Sequence, residues 1–368
     1  MTEDILSHSE SSGNTADSVP IRSRWIRDCH FEPIQTAPNG QSHCIEFQLV
    51  LAPKRANRDR QHRGSTIDYQ RGIVQEFNGK DGGFNFHRIE PNELMMAISL
   101  NAHRLDADSM MKWGDDKMAG FRCIDWHSTR SYHGFNALIL NQFATGNHSG
   151  FFVPNLWSDH GQYLDFSSLL IGLQFLSLWP SDSAMRIGFD SLGAFASFNH
   201  LHFEFWDIDG EGLPVEGAPA TALSVRAMGR IAIHELDDRY YPLHGLRYRV
   251  HVDSDDALFS DLDHLARSIL FCVEWLQRED IAFNVLMVPG HPLTVFLTPR
   301  QTQSAFDRAT DFEVEPGFGE VSGRLVFGDE AEWSGMTVDR VWTAWREGIS
   351  IEDGRWEEIK RECLSMDM

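Results

Sequence analysis

From His200 to Phe205 the chain reads HLHFEF, at the end of a longer polar and aromatic run, GAFASFNHLHFEFW, that spans Gly193 to Trp206. Successive side chains of a β-strand point to opposite faces, so strict alternation of this kind predicts a strand buried on one side only. The whole run is expected to form one long strand. Leu201, Phe203 and Phe205 should enter a core, while His200, His202 and Glu204 project together from the other face. The apolar face of such a strand has to be covered by a second layer.

The flanking sequence supplies that layer. CIEFQLVLAP from Cys44, Phe135 to Phe143, Arg186 to Phe189 and Leu246 to Val252 read as strands. Leu164 to Leu178 is apolar densely enough to be a helix buried on most sides. Between Asp256 and about Arg278, Leu258, Leu262, Leu265, Ile269, Val273 and Leu276 recur at three- and four-residue steps, so they form the core face of an amphipathic helix. Phe283 to Val288 and Leu293 to Leu297 flank Pro289, Gly290, His291 and Pro292 and should pair as a hairpin. Trp342, Trp345, Trp356 and Ile359 mark C-terminal helices that fold back on the body.

Length and charge narrow the function classes. A chain of 368 residues with 42% hydrophobic content can bury a large core, and no stretch approaches the ~18 consecutive apolar residues of a membrane span. The acidic, Ser-rich first residues lack the apolar core of a signal peptide, so residues 1–21 are read as a disordered tail and the location as cytoplasmic. A net charge of −22 argues against nucleic acid or anionic membrane as partner. A small anionic ligand needs only a local positive pocket. The one basic run, Lys54 to Arg71, reads as a solvated loop, and a Gly-rich turn follows at Asp81, Gly82 and Gly83. Cys29, Cys44, Cys123, Cys272 and Cys363 show no C-x-x-C pair, so ordinary reduced thiols are expected.

The chemistry concentrates on His200, His202 and Glu204. One imidazole can serve as a nucleophile at neutral pH while its neighbour orients it or donates hydrogen bonds to a phosphate oxygen. Asp190, Ser191, Gly193, Ser197 and Asn199 bring small and polar groups to the same region as candidate substrate-binding residues, and Gly193 permits close backbone approach to an anion. A metal site is the rival reading, because H-x-H with a carboxylate can hold Fe, Mn or Zn. No ligand spacing supports a shared metal at His234, His244, His251 and His291, which are assigned to turns or the surface.

The segment RIGFDSLGAFASFNHLHFEFW resembles the signature of the GDP-L-galactose and GDP-D-glucose phosphorylases, a branch of the histidine-triad superfamily related to galactose-1-phosphate uridylyltransferase. YPLHGL from Tyr241, FNVL from Phe283, VFLTP from Val295 and EVSGRL from Glu320 are similar to that family in the same order, and the resemblance covers roughly residues 75 to 365. It implies an α+β, two-lobed histidine-triad fold, galactose-1-phosphate uridylyltransferase-like, with an antiparallel sheet and packed helices, divided as 22–225 and 226–368. It implies that His202 takes a nucleoside monophosphate from a nucleoside-diphosphate sugar, GDP-linked, as a covalent adduct that inorganic phosphate then collects. His200 would position the phosphate or His202. Neither cofactor nor metal is implied, and a homodimer is left open. Water as acceptor, or binding without turnover, are the alternative outcomes on the same scaffold. The chain departs from the family where Glu204 stands for Gln and Asp190 for Asn, two negative groups beside a phosphate. It departs again upstream, where the family's Y-G-H strand reads His133, Gly134, Phe135, Asn136, ALIL and Asn141.

Overall fold

The computed structural model describes strands over residues 6–7, 22–28, 45–51, 94–99 and 135–140. From 149 to 365 it describes all but short breaks at 159, 197–198, 209–211, 227–229, 252–254, 311 and 313. The basic run, the turn at 81–83, Cys29, Cys44, Cys123, His133, Gly134, Asn141 and Ser197 lie outside the described residues.

Six strands come first: β1 (Leu6–Ser7), β2 (Arg22–Asp28), β3 (Ile45–Leu51), β4 (Leu94–Ser99), β5 (Phe135–Leu140) and β6 (Ser149–Val153). Helix α1 (Phe166–Ser177) precedes β7 (Met185–Asp190) and β8 (Phe203–Asp207), then α2 (Pro214–Gly217), β9 (Ala220–Arg226), β10 (Ile231–Leu236) and β11 (Leu246–Val250). The long helix α3 (Asp255–Arg278) leads into the hairpin β12 (Ala282–Val288) and β13 (Leu293–Arg300). The chain closes with α4 (Gln303–Ala309), α5 (Phe318–Val321), β14 (Arg324–Phe327), α6 (Glu330–Ser334), α7 (Val338–Gly348) and α8 (Asp353–Leu364).

Ten strands form one sheet in the order β4-β5-β6-β8-β7-β12-β13-β11-β10-β9, with antiparallel neighbours throughout. A second sheet, β1-β2-β3-β14, carries a parallel pair between β3 and β14. Each face of the large sheet has its own core. On one, Phe189, Phe203, Val285 and Val295 meet α1, α3 and α8 through Leu173, Leu265, Ile269, Val273 and Trp356. On the other, Trp206, Leu286 and Phe296 meet Phe318, Phe47 and Leu325, and Trp345 of α7. The result is a sandwich of helices, large sheet, and small sheet with C-terminal helices. The expected amphipathic helix, hairpin and C-terminal helices are all present. Helix α1 begins where its cap dictates: the Asp165 carboxylate accepts the Ser168 N–H at 2.8 Å and satisfies one of the orphan donors of the first turn.

Three expectations are corrected. The run from Gly193 to Trp206 is not one strand: β8 begins only at Phe203, and residues 192–195 form a turn in which Gly193 (φ 80°) and Phe195 (φ 69°) take left-handed backbone conformations. Cys272 and Cys363 are joined by a disulfide between α3 and α8, with Cα atoms 4.6 Å apart, where free thiols were expected. Their 91-residue separation hid the pairing from any spacing rule. His244 is buried rather than on the surface, stacked 5.2 Å from the Trp356 ring with Nε2 bonded to Asp353.

Candidate active site

The register of β7 against its two neighbours decides which side chains meet. Gly188 faces Glu204 on β8, and Asp190 faces Asn284 on β12. Cross-strand partners share a face, so Glu204, Asp190 and Asn284 project to one side, while Ile187, Phe189, Phe203 and Phe205 fill the helix-covered core. Leu201 also enters that core, so the alternation in the sequence reports side-chain direction correctly. Two residues further along the β7–β8 register, His202 would stand opposite Asp190.

There the ladder is interrupted by an amide from elsewhere. Gln162, completely buried, accepts the His202 N–H at 2.9 Å on Oε1 and donates from Nε2 to the His202 carbonyl at 3.2 Å and the Asp190 carbonyl at 2.9 Å. One side chain thus occupies the backbone groups that a continued strand would have used. The flanking loop completes the clamp: Leu201 N–H donates to the His160 carbonyl, and the Asn199 side-chain oxygen accepts the Gln162 N–H at 2.9 Å. Gln162 was not among the residues singled out in the sequence, because a lone Gln 40 positions upstream carries no local signal.

This clamp presents His202 in one chemical state. Its Nδ1 lies 2.7 Å from the His200 carbonyl oxygen. A carbonyl can only accept, so Nδ1 carries the proton and Nε2 carries the lone pair. Burial pushes the imidazole down to about 4, overcoming the opposing pull of that hydrogen bond, and the ring is neutral at physiological pH. The Phe151 ring stands edge-on to it at 5.5 Å. His200 and His202 are both almost fully enclosed, whereas Glu204 and Asn199 are half-buried. Two imidazoles and a carboxyl group projecting from one strand were expected; only Glu204 lies on β8, and the part of His200 that touches His202 is its carbonyl.

The substrate-binding candidates separate by what they touch. Asp190 is a structural hub: its Oδ1 accepts from Asn284 Nδ2 and from the Phe318 N–H, both at 2.7 Å, tying β7 to β12 and α5. Burial, reinforced by the negative charge of Glu204, holds its carboxyl well above the usual range despite the Asn284 hydrogen bond, and so favours the protonated form. Ser191 is a cross-link too, its Oγ accepting the Phe283 N–H at 2.8 Å and donating to the Leu192 carbonyl. Gly193 is buried in the turn, and its carbonyl accepts the Gln303 N–H at 2.7 Å. Arg300, equally unmarked in the sequence, reaches this hub through Nη1, which donates to Asn284 Oδ1 at 3.3 Å and to the Pro316 carbonyl. Among the described residues no group of three or more His, Cys, Asp or Glu side chains is arranged to hold a metal ion.

A family profile described as GDPGP1-like, N-terminal domain matches residues 136–206, and its companion, GDPGP1-like, C-terminal domain, matches residues 214–367. GDP-L-galactose phosphorylase 1 of Arabidopsis thaliana is 26% identical over 295 residues, covering 78% of this chain and 59% of the plant protein. GDP-D-glucose phosphorylase 1 of Danio rerio is 23% identical over 282 residues, covering 73% of this chain and 68% of the fish protein. The chain spans about six-tenths of the length of the plant relatives it matches, 59% and 61%. Yeast Ap4A phosphorylase Apa2 shares the fold, with a TM-score of 0.52 at 12% identity over 91% of this chain and 89% of Apa2. The same enzyme solved in complex with AMP gives 0.52 at 13% identity, over 91% of this chain and 90% of that one.

Proposed function

The chain belongs to the GDPGP1-like family, whose two domain profiles together match more than half of it, and from that premise we propose that it is a nucleotidyl transferase that phosphorolyses a nucleoside-diphosphate sugar, GDP-linked, through a covalent adduct on His202. The observation that carries the reading is the hydrogen bond between His202 Nδ1 and the His200 carbonyl, which leaves Nε2 as an unprotonated nucleophile in a neutral ring. The relatives' printed names as GDP-hexose phosphorylases, and the AMP complex of Apa2, support the substrate class.

The two steps balance as follows. The Nε2 lone pair forms a bond to the α-phosphorus, and the bond from that phosphorus to the bridging oxygen breaks, with its electrons leaving on the sugar 1-phosphate. The ring becomes cationic as the nitrogen–phosphorus bond forms, and the His200 carbonyl stabilises that charge at the Nδ1 proton. An oxygen of inorganic phosphate then attacks the same phosphorus, the nitrogen–phosphorus bond breaks, and the lone pair returns to Nε2. Nucleoside diphosphate is released. The raised carboxyl of Asp190 favours its neutral form beside this sequence, and Glu204 and Asn199 face the substrate as the half-buried members of the group. The assignment of lobes to 22–225 and 226–368, with 1–21 as a tail and the cytoplasm as location, belongs to the same reading.

Product analysis tests it. With a GDP-hexose and inorganic phosphate the chain should release GDP in proportion to sugar 1-phosphate, and should turn over little without phosphate. GMP as the product, with or without phosphate, would make water the acceptor and the protein a hydrolase; ligand binding with neither product would make it a sensor.

A further inference from the structure

Arg300 is 1% exposed. Its Nε donates to the Gln301 carbonyl at 3.0 Å, and Nη1 is used by Asn284 and Pro316. Nη2 has no hydrogen-bond partner among the described residues. None of the ion pairs formed among the described residues involves this guanidinium. The nearest acids, Asp190, Glu320 and Asp307, act on it only through space. Burial pushes the group down to about 10, which leaves it a cation at neutral pH. A buried cation with unused donors is costly until an anion or a polar partner meets them.

Its place in the sheet gives that cation a purpose. Thr298 faces Asn284 across the β12–β13 pair, in line with Asp190, so Arg300, two residues further along β13, projects from the same face as Asp190 and Glu204. Hydrogen bonds join its guanidinium to the Asn284 side chain and Asn284 to the Asp190 carboxyl, while Gln162 ties the Asp190 backbone carbonyl to that of His202. Over the guanidinium, 5.3 Å away, stands the ring of Phe195, in the turn that leads to His200.

We propose that Arg300 is the phosphate subsite of this centre, its Nη2 edge binding the phosphate group that leaves with the sugar and later enters as inorganic phosphate. This rests on the phosphorolysis reading. Leaving and attacking phosphates bond in turn to the same α-phosphorus opposite the same imidazole, so one subsite serves both steps. A guanidinium suits it because its planar fork offers donors to two phosphate oxygens at once, which an ammonium cannot match.

The test uses inorganic phosphate titrated calorimetrically into the full-length His202→Ala chain, which can form no adduct. Saturable binding is expected, weakened at least about tenfold when Arg300→Lys is added, since the lysine keeps the charge and loses the fork. Unchanged phosphate affinity in the double variant would overturn the assignment. Should Arg300→Lys fail to fold, a crystal structure of the unaltered chain with phosphate decides: a phosphate oxygen bonded to Nη2 supports the subsite, and water alone at Nη2 overturns it. An unaltered chain that binds phosphate at Arg300 yet forms no nucleotide adduct would refute the transferase reading and leave the subsite standing.

Discussion

His202 owes its proposed reactivity to one backbone carbonyl and one side-chain amide rather than to another charged side chain. The His200 carbonyl selects the tautomer, and the Gln162 amide fixes the His202 backbone on both its N–H and its C=O. Replacing Gln162 with Leu removes its hydrogen bonds to the buried backbone of His202 and Asp190, at about 1–3 kcal/mol. Thermal unfolding should show that loss. Activity should show more: kcat is expected to fall at least about tenfold while KM for the nucleotide sugar changes little, because a misdirected nucleophile affects the reacting geometry and not ground-state binding. A rise in KM at constant kcat would assign Gln162 to substrate binding instead. The buried imidazole also fixes a pH dependence. Its folded value lies below the ordinary 6.5, so between 6.5 and about 4 the unfolded chain binds the extra proton and folding stability declines as pH falls, by about 3 kcal/mol in all. The nucleophile stays unprotonated over that window, so the acid limb of kcat/KM should lie near 4; an inflection near 6.5 would contradict the enclosed, neutral imidazole.

At the scale of elements, the site depends on α5 pressing directly on β7 and β8. A Cβ on Gly188 would sit 2.0 Å from the Phe318 ring, and one on Gly319 would sit 1.8 Å from the Trp206 ring, so each glycine makes room for an aromatic ring on the opposing element. Gly319→Ala should therefore cost about 1–3 kcal/mol through overpacking and lower the melting temperature; an unchanged melting temperature would show that α5 is free to shift. This contact also explains what could be read in advance and what could not. The helix carrying Leu262, Leu265, Ile269 and Val273, and the hairpin around His291, follow from local periodicity and turn residues, and both form as expected. The long strand at 193–206 does not form, because alternation records which way side chains point and says nothing about whether a neighbouring backbone continues the ladder. A distant amide and two left-handed residues end it. Asn284 and Arg300 lie in and just after the FNVL and VFLTP segments that mark the family, yet only the folded register shows that they converge on Asp190.

For the whole molecule, the ten-stranded sheet brings the segments matched by the two family profiles into one structure, since β7 from the first pairs with β12 from the second. The proposed nucleophile comes from one and the proposed phosphate subsite from the other. A net charge of −22 is compatible with an anionic substrate because positive character is required only at that junction. The central claim is that His202 Nε2 attacks phosphorus. Intact-mass measurement of the full chain incubated with GDP-hexose, in the absence of phosphate, tests it directly. The account predicts a mass increase of one GMP residue, absent in His202→Ala and discharged as GDP when phosphate is added. An unmodified chain that nonetheless produces GDP, or an adduct that persists in His202→Ala, would contradict it.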